Sequence, residues 1–173
     1  MIWLVTGISA SGKSTVSQLL AERFDRGVHV RGDVFRRMVV SGRDDHFPVP
    51  SEEAIAQLRL RYRLGASTAD AYATAGFTTV VQDVILGHHL QSYVDSIRTR
   101  PLHVVVLAPS PDVAARREAA RGKVAYRDGY TPHDMHAALV NDTPRIGLWL
   151  DTSDQTPDET VDEILRRRDE SQL

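Results

Sequence analysis

The sequence predicts an α/β protein, a parallel sheet carrying helices on both faces. Three observations lead there. Short apolar runs alternate with helix-patterned segments along the whole chain. The runs, such as LHVVVL at 102–107, lack the apolar/polar alternation of a half-exposed sheet, so both of their faces are buried. Turn and capping residues fall at the junctions between runs and helices.

Taken in order, Ile2–Thr6 is the first strand and runs straight into a Gly-rich loop. Ser14–Phe24 has helical spacing, with Val16, Leu19, Leu20 and Phe24 on one side. Val28–Arg31 is the second strand, and a helix over Asp33–Val40 stops at Gly42. Two prolines keep Arg43–Pro50 a loop. Ser51 can cap a long helix to Ala75, ended by Gly76. Phe77–Gln82 is the third strand, followed by a helix over His88–Arg100. Leu102–Leu107 is the fourth, with a helix over Ser110–Arg121. After a polar loop at Lys123–Tyr130 come a short helix, Pro132–Val140, and a fifth strand, Ile146–Leu150. Thr156-Pro157-Asp158-Glu159 is a capping box with proline at the first helical position, and it opens the last helix.

At 173 residues the chain fits one domain with a core of its own. It contains no cysteine, which excludes disulfides and thiolate metal sites. The first residues, MIWLVTG, carry no basic leader, and no apolar run reaches the length of a membrane span. A cytoplasmic protein without membrane contact is the expectation. The net charge of −2 argues against a generic nucleic-acid binder.

The chemistry begins at Gly7–Ser14, GISASGKS. Two glycines bracket four residues, and Lys-Ser follows. Glycine is needed because the backbone must curl to aim its N–H groups at phosphate oxygens. The helix that begins there adds its positive dipole end. Gly7, Ser9, Ala10, Ser11, Gly12 and Thr15 are expected around the phosphates of ATP, with Lys13 on the β- and γ-phosphates and the Ser14 hydroxyl on Mg²⁺. Of 21 basic residues only Lys13 and Lys123 are lysines, so a lysine at this position is informative.

In doubly wound sheets, ligands sit at the carboxyl ends of the strands. Asp33 lies just past the second strand, in RGDVFRR. It is a candidate general base for an attacking hydroxyl, and also a helix N-cap; the two readings are compatible. Asp83 ends the third strand, where a carboxylate can orient Mg²⁺ or face the substrate, or simply make a turn. Gln82 and His88 are weaker candidates for the same pocket. Arg36 and Arg37 follow Asp33 by three and four residues; one could hold an anionic part of the acceptor, or both could face solvent. Arg117 and Arg121, with Arg116 and Lys123 nearby, suit a lid over about 116–130 that neutralises charge on a transferred phosphoryl group. The alternative is a helix end decorated with cations. Arg145 is a candidate to stack on the nucleotide base. Arg59, Arg61 and Arg63 read as a solvated helix face, and no histidine pair has metal spacing.

The phosphate loop, Asp33, the paired lid arginines and the closing LDTS together resemble small P-loop kinases. RGDVFRR resembles the acceptor segment of chloramphenicol phosphotransferase-like proteins, zeta toxins and polynucleotide 5′-kinases. REAAR at 117–121 resembles the lid of gluconate kinases. The resemblance implies a three-layer P-loop NTPase fold with five parallel strands in the order 2-3-1-4-5. It also implies Asp33 as general base, Arg36 on an acceptor phosphate in the polynucleotide-kinase case, and Arg117 and Arg121 on ATP. The acceptor-covering segment, 43–75, matches none of these families closely. The leading reading is an ATP- and Mg²⁺-dependent kinase for a hydroxyl-bearing small molecule: an antibiotic, a sugar or a nucleoside-like compound. A polynucleotide 5′-hydroxyl kinase and a nucleotide-dependent switch are the alternatives. The absence of an NKxD guanine-reading motif counts against the switch.

Overall fold

The computed structural model describes residues 1–45, 49–120 and 130–173. Its elements are β1 (Ile2–Gly7), α1 (Lys13–Glu22), β2 (Gly27–Arg31), α2 (Gly32–Met38), α3 (Glu52–Thr74), β3 (Thr78–Gln82), α4 (His89–Ser96), β4 (Leu102–Leu107), α5 (Pro111–Ala120), α6 (Pro132–Asp142), β5 (Leu148–Leu150), α7 (Pro157–Arg166) and α8 (Arg168–Ser171). All strand pairs within the sheet are parallel, in the order β2-β3-β1-β4-β5. The topology implied by the sequence is the one observed.

Both sheet faces are covered, which is why the strands read as unbroken apolar runs. Ile2 and Leu4 of β1 and Val104 and Val106 of β4 pack with Tyr62, Ala66, Tyr93 and Leu139 on one face. Trp3, Val5, Val105 and Leu107 pack with Val16, Leu20, Val161 and Ile164 on the other. Side chains alternate between the faces, but both partners are apolar.

The capping signals behave as expected. Ser51 accepts a hydrogen bond from the Ala54 N–H and starts α3. Thr156 and Glu159 form the capping box of α7, with Pro157 in the first turn. Several boundaries shift by one or two residues and a short α8 was not expected; two shifts have a clear cause. The helix expected over His88–Arg100 ends at Ser96, because Pro101 disfavours helix before it and the Asp70 carboxylate accepts from the N–H groups of Arg98 and Thr99. The fifth strand shrinks from Ile146–Leu150 to three residues, since β4 pairs with it only at Leu148–Leu150. Among the described residues no helix is long and apolar enough to cross a membrane.

Candidate active site

The phosphate loop leaves β1 at its carboxyl end and enters α1. Three residues between the end of β1 and the start of α1 have positive φ: Gly7 (147°), Ala10 (61°) and Gly12 (96°). A Cβ at Gly7 would also collide with the Leu107 carbonyl, so both the conformation and the space demand glycine. Gly12 caps α1 without any side-chain hydrogen bond. The first-turn amides of a helix find no carbonyl within it, and an anion is their natural partner. Lys13 is buried, and its ammonium donates across the loop to the Ile8 carbonyl at 2.6 Å. Ser11 is also buried, while Ser14 stands half-exposed and Thr15 exposed at the start of α1.

Asp33 and Asp83 lie at the ends of neighbouring strands, yet their surroundings differ. Asp33 lines a cleft of about 1010 Å³ that also reaches Ser9 of the phosphate loop. Its Oδ2 accepts from Arg37 Nη2 at 2.6 Å, and Arg31 Nε is 3.4 Å from Oδ1. The N-cap of α2 is Arg31, so Asp33 sits inside the first turn. That corrects the N-cap reading: the carboxylate complements the helix end electrostatically but does not cap it.

Asp83 is almost fully buried and both its oxygens are engaged. Arg61 grips it in a fork, with Nε 2.7 Å from Oδ2 and Nη2 on Oδ1, and the Val84 N–H donates to Oδ1 at 2.7 Å. Burial raises the Asp83 pKa, and the Arg61 charge pulls it back down. Gly32 presses against this carboxylate, and a Cβ there would fall within it. Thr6 Oγ1 and Tyr62 Oη tie the following residues through Ile85 and Val84.

Arg61 is the residue that sequence reasoning missed. The expected solvated helix face holds for Arg59 and Arg63, which are exposed, but not for Arg61, whose side chain is only 16% exposed and points at the sheet. A signal was present. Ala54, Leu58, Arg61, Gly65 and Ala69 follow helical spacing, so Arg61 occupies the buried stripe of α3.

The other arginines are also occupied. Arg36 pairs with Asp45, and Arg37 with Asp33. Arg117 spans the phosphate loop and the strand-5 end, donating to the Thr152 carbonyl at 2.7 Å and the Ser11 carbonyl at 3.5 Å. That places it beside the loop. Arg121, Lys123 and most of the lid segment lie outside the described residues. Arg145 precedes β5, and its guanidinium lies 4.0 Å over the Trp149 ring. The plane assigned to a nucleotide base is thus taken by an indole of the chain, on the approach to β5 rather than at its carboxyl end.

Mg²⁺ is implied by such a loop. Ser14 fits it: the hydroxyl follows Lys13 directly and, among the described residues, accepts a long hydrogen bond, 3.4 Å, from Gln82 Nε2. Asp83, with both oxygens taken by Arg61 and Val84, does not present a face to a cation here, contrary to expectation. His88 precedes α4, but it is His89 that reaches the cleft.

One titration follows from the other flank of the loop. His29 of β2 sits near Ser14 and Thr15, with Nδ1 3.0 Å from Gln18 Oε1. Burial, reinforced by the positive charge of Arg31, lowers its pKa from 6.5 to about 4, and Asp33 opposes this. The unfolded chain therefore takes up this proton at higher pH than the folded one. Its contribution is complete above pH 6.5 and is lost as pH falls toward 4. Urea titrations at pH 7, 5.5 and 4.5 are expected to show a decline that His29→Gln reduces; an unchanged pH dependence in that variant would exclude the histidine.

The parallel sheet in 2-3-1-4-5 order, with a phosphate loop joining β1 to α1, is a three-layer P-loop fold. The chain belongs to the AAA domain family (AAA_33), which it matches over residues 2–142. Its fold is similar to that of a sugar kinase from Janibacter sp. HTCC2649, at 21% identity and a TM-score of 0.69, covering 98% of this chain and 95% of the other. The tunicamycin resistance protein of Deinococcus radiodurans is similar at 17% identity and a TM-score of 0.67, covering 99% and 97%. The Mycobacterium tuberculosis APS kinase, solved with AMPPNP and APS, is similar at 19% identity and a TM-score of 0.63, covering 95% of each chain. No curated protein matches the sequence.

Proposed function

We propose that the chain is an ATP-dependent phosphotransferase that moves the γ-phosphoryl group to a hydroxyl of a small molecule. The observation that carries this reading is the shared cleft: Ser9 of the phosphate loop and the Asp33 carboxylate line the same cavity. A donor site and a proton acceptor therefore open onto one space.

The residues divide the work as follows. The loop amides and the α1 dipole bind the phosphates. Lys13 exchanges the Ile8 carbonyl for phosphate oxygens and neutralises charge during transfer. Arg117 holds the rim of the loop, and Arg121 is assigned to the same lid. Asp33 accepts the hydroxyl proton as the acceptor oxygen bonds to γ-phosphorus and the β–γ bridge P–O bond breaks, leaving ADP. Ser14 is the residue that would hold Mg²⁺, which when bound offsets charge on the β- and γ-phosphates. Asp83 acts indirectly, by fixing Arg61 and the start of the segment after β3.

The name of the Janibacter protein, a sugar kinase, and the ligands of the APS kinase support nucleotide-driven transfer to a small acceptor. An oligonucleotide 5′-kinase is less well supported, because Arg36 is committed to Asp45.

Asp33→Asn is expected to lower transfer by about 10²–10⁴-fold, the usual contribution of a positioned base. ATP affinity, read by fluorescent-nucleotide titration, should stay near that of the wild type. Transfer at the wild-type rate in this variant would remove Asp33 as the base.

A further inference from the structure

The cleft also carries information about what it accepts. Its arginines are engaged within the chain: Arg61 is forked onto Asp83, Arg36 and, at 3.8 Å, Arg43 lie on Asp45, and Arg37 pairs with Asp33. An acceptor bearing a phosphate or carboxylate would compete with an aspartate for each of these arginines.

Arg43, Asp44, Gln57 and His89 also line the cleft, but a large share of the lining is apolar. Phe35, Met38, Leu58, Leu60, Leu64 and Met135 face the cavity. Three of them, Met38, Leu60 and Leu64, are 66%, 40% and 40% exposed. Nearby in sequence, Val40 and Val49 are 97% and 91% exposed. Of the seven exposed large apolar residues among those described, five therefore fall between 38 and 64. Scattered exposed apolar side chains are ordinary, but a cluster at the mouth of a cleft marks a binding surface. A simple hexose would leave this surface wet and most of about 1010 Å³ unfilled.

We propose that the acceptor is an uncharged amphiphilic alcohol: a hydroxyl-bearing polar head placed at Asp33, with an apolar body lying over α2 and α3 toward Met38, Leu60 and Leu64. This rests on the phosphotransferase reading, and it adds the acceptor's chemical class.

The test uses the full chain and a graded set of probes: methyl, hexyl and octyl β-glucoside, all below micellar concentration, with gluconate and glucose 6-phosphate as charged counterparts. Binding is read by titration calorimetry without nucleotide, and transfer by ADP release and phosphorylated product with ATP. Affinity is expected to rise at least about tenfold from methyl to octyl, since each buried methylene contributes severalfold. Leu60→Ser and Leu64→Ser, at exposed positions, should remove most of that gain while leaving ATP affinity unchanged. Equal affinity across chain lengths, or tightest binding of gluconate or glucose 6-phosphate, would overturn the proposal. A chain-length gain that survives both serine variants would also overturn it, because the apolar body would then lie elsewhere. The two readings fail separately. Chain-length-dependent binding without phosphoryl transfer from ATP counts against the phosphotransferase but not against the ligand class. Transfer to the charged sugars alone counts against the ligand class but not against the phosphotransferase.

Discussion

Replacing Arg61 by Ala is expected to destabilise the protein by about 3–5 kcal/mol, the usual cost of removing one partner of a buried ion pair. The reason is the fork onto Asp83, a carboxylate that is 2% exposed. Without Arg61 the strongest influence opposing burial is gone, and Asp83 is left favouring its protonated form. Its folded pKa, already raised by burial, moves further above its unfolded one, so the variant's stability falls as pH rises through the folded value. Denaturant titrations at pH 5 and pH 8 should show the larger loss at pH 8. The double variant Arg61→Met with Asp83→Leu should recover most of the stability, because no buried charge remains. A loss below about 1 kcal/mol in Arg61→Ala, the scale of a surface pair, would mean that the pair contributes little. The effect on transfer is expected to follow, since Gly32, one residue before Asp33, rests on the same carboxylate.

Lys13→Ala is expected to reduce phosphoryl transfer by at least about 10²–10³-fold, as removal of a preorganised charge-stabilising donor does. Its ammonium already lies within the loop, on the Ile8 carbonyl, so it is held where the β- and γ-phosphates would arrive. Lys13→Arg is expected to rescue little. A planar guanidinium is too wide for a loop that closes on a point charge. Steady-state transfer, with circular dichroism to confirm the fold, checks both variants. Transfer close to wild type in Lys13→Ala would sink the assignment of this loop as the donor site.

The sequence by itself determined the sheet, the phosphate loop and most of the helix starts. These are local properties. An apolar run buried on both faces, a glycine required by positive φ, and Ser51 or Thr156 capping a helix each depend on neighbours within a few residues. Asp33 was legible for the same reason, as the polar residue just past a strand end. Only the tertiary structure decided which charges are spent on one another. Arg61 and Asp83 are 22 residues apart, and nothing local pairs them. The periodicity of α3 showed that Arg61 faces inward, but not what waits there. Arg36 with Asp45 and Arg145 on Trp149 are nearer in sequence, yet there too a partner within the chain stands where position had suggested a ligand. Burial sets the strength of an ionic contact, and burial is a property of the assembled layers. The phosphate loop could therefore be read from its own residues, whereas the pairing of charges and the apolar share of the cleft lining emerged only when α2 and α3 were seen against the sheet.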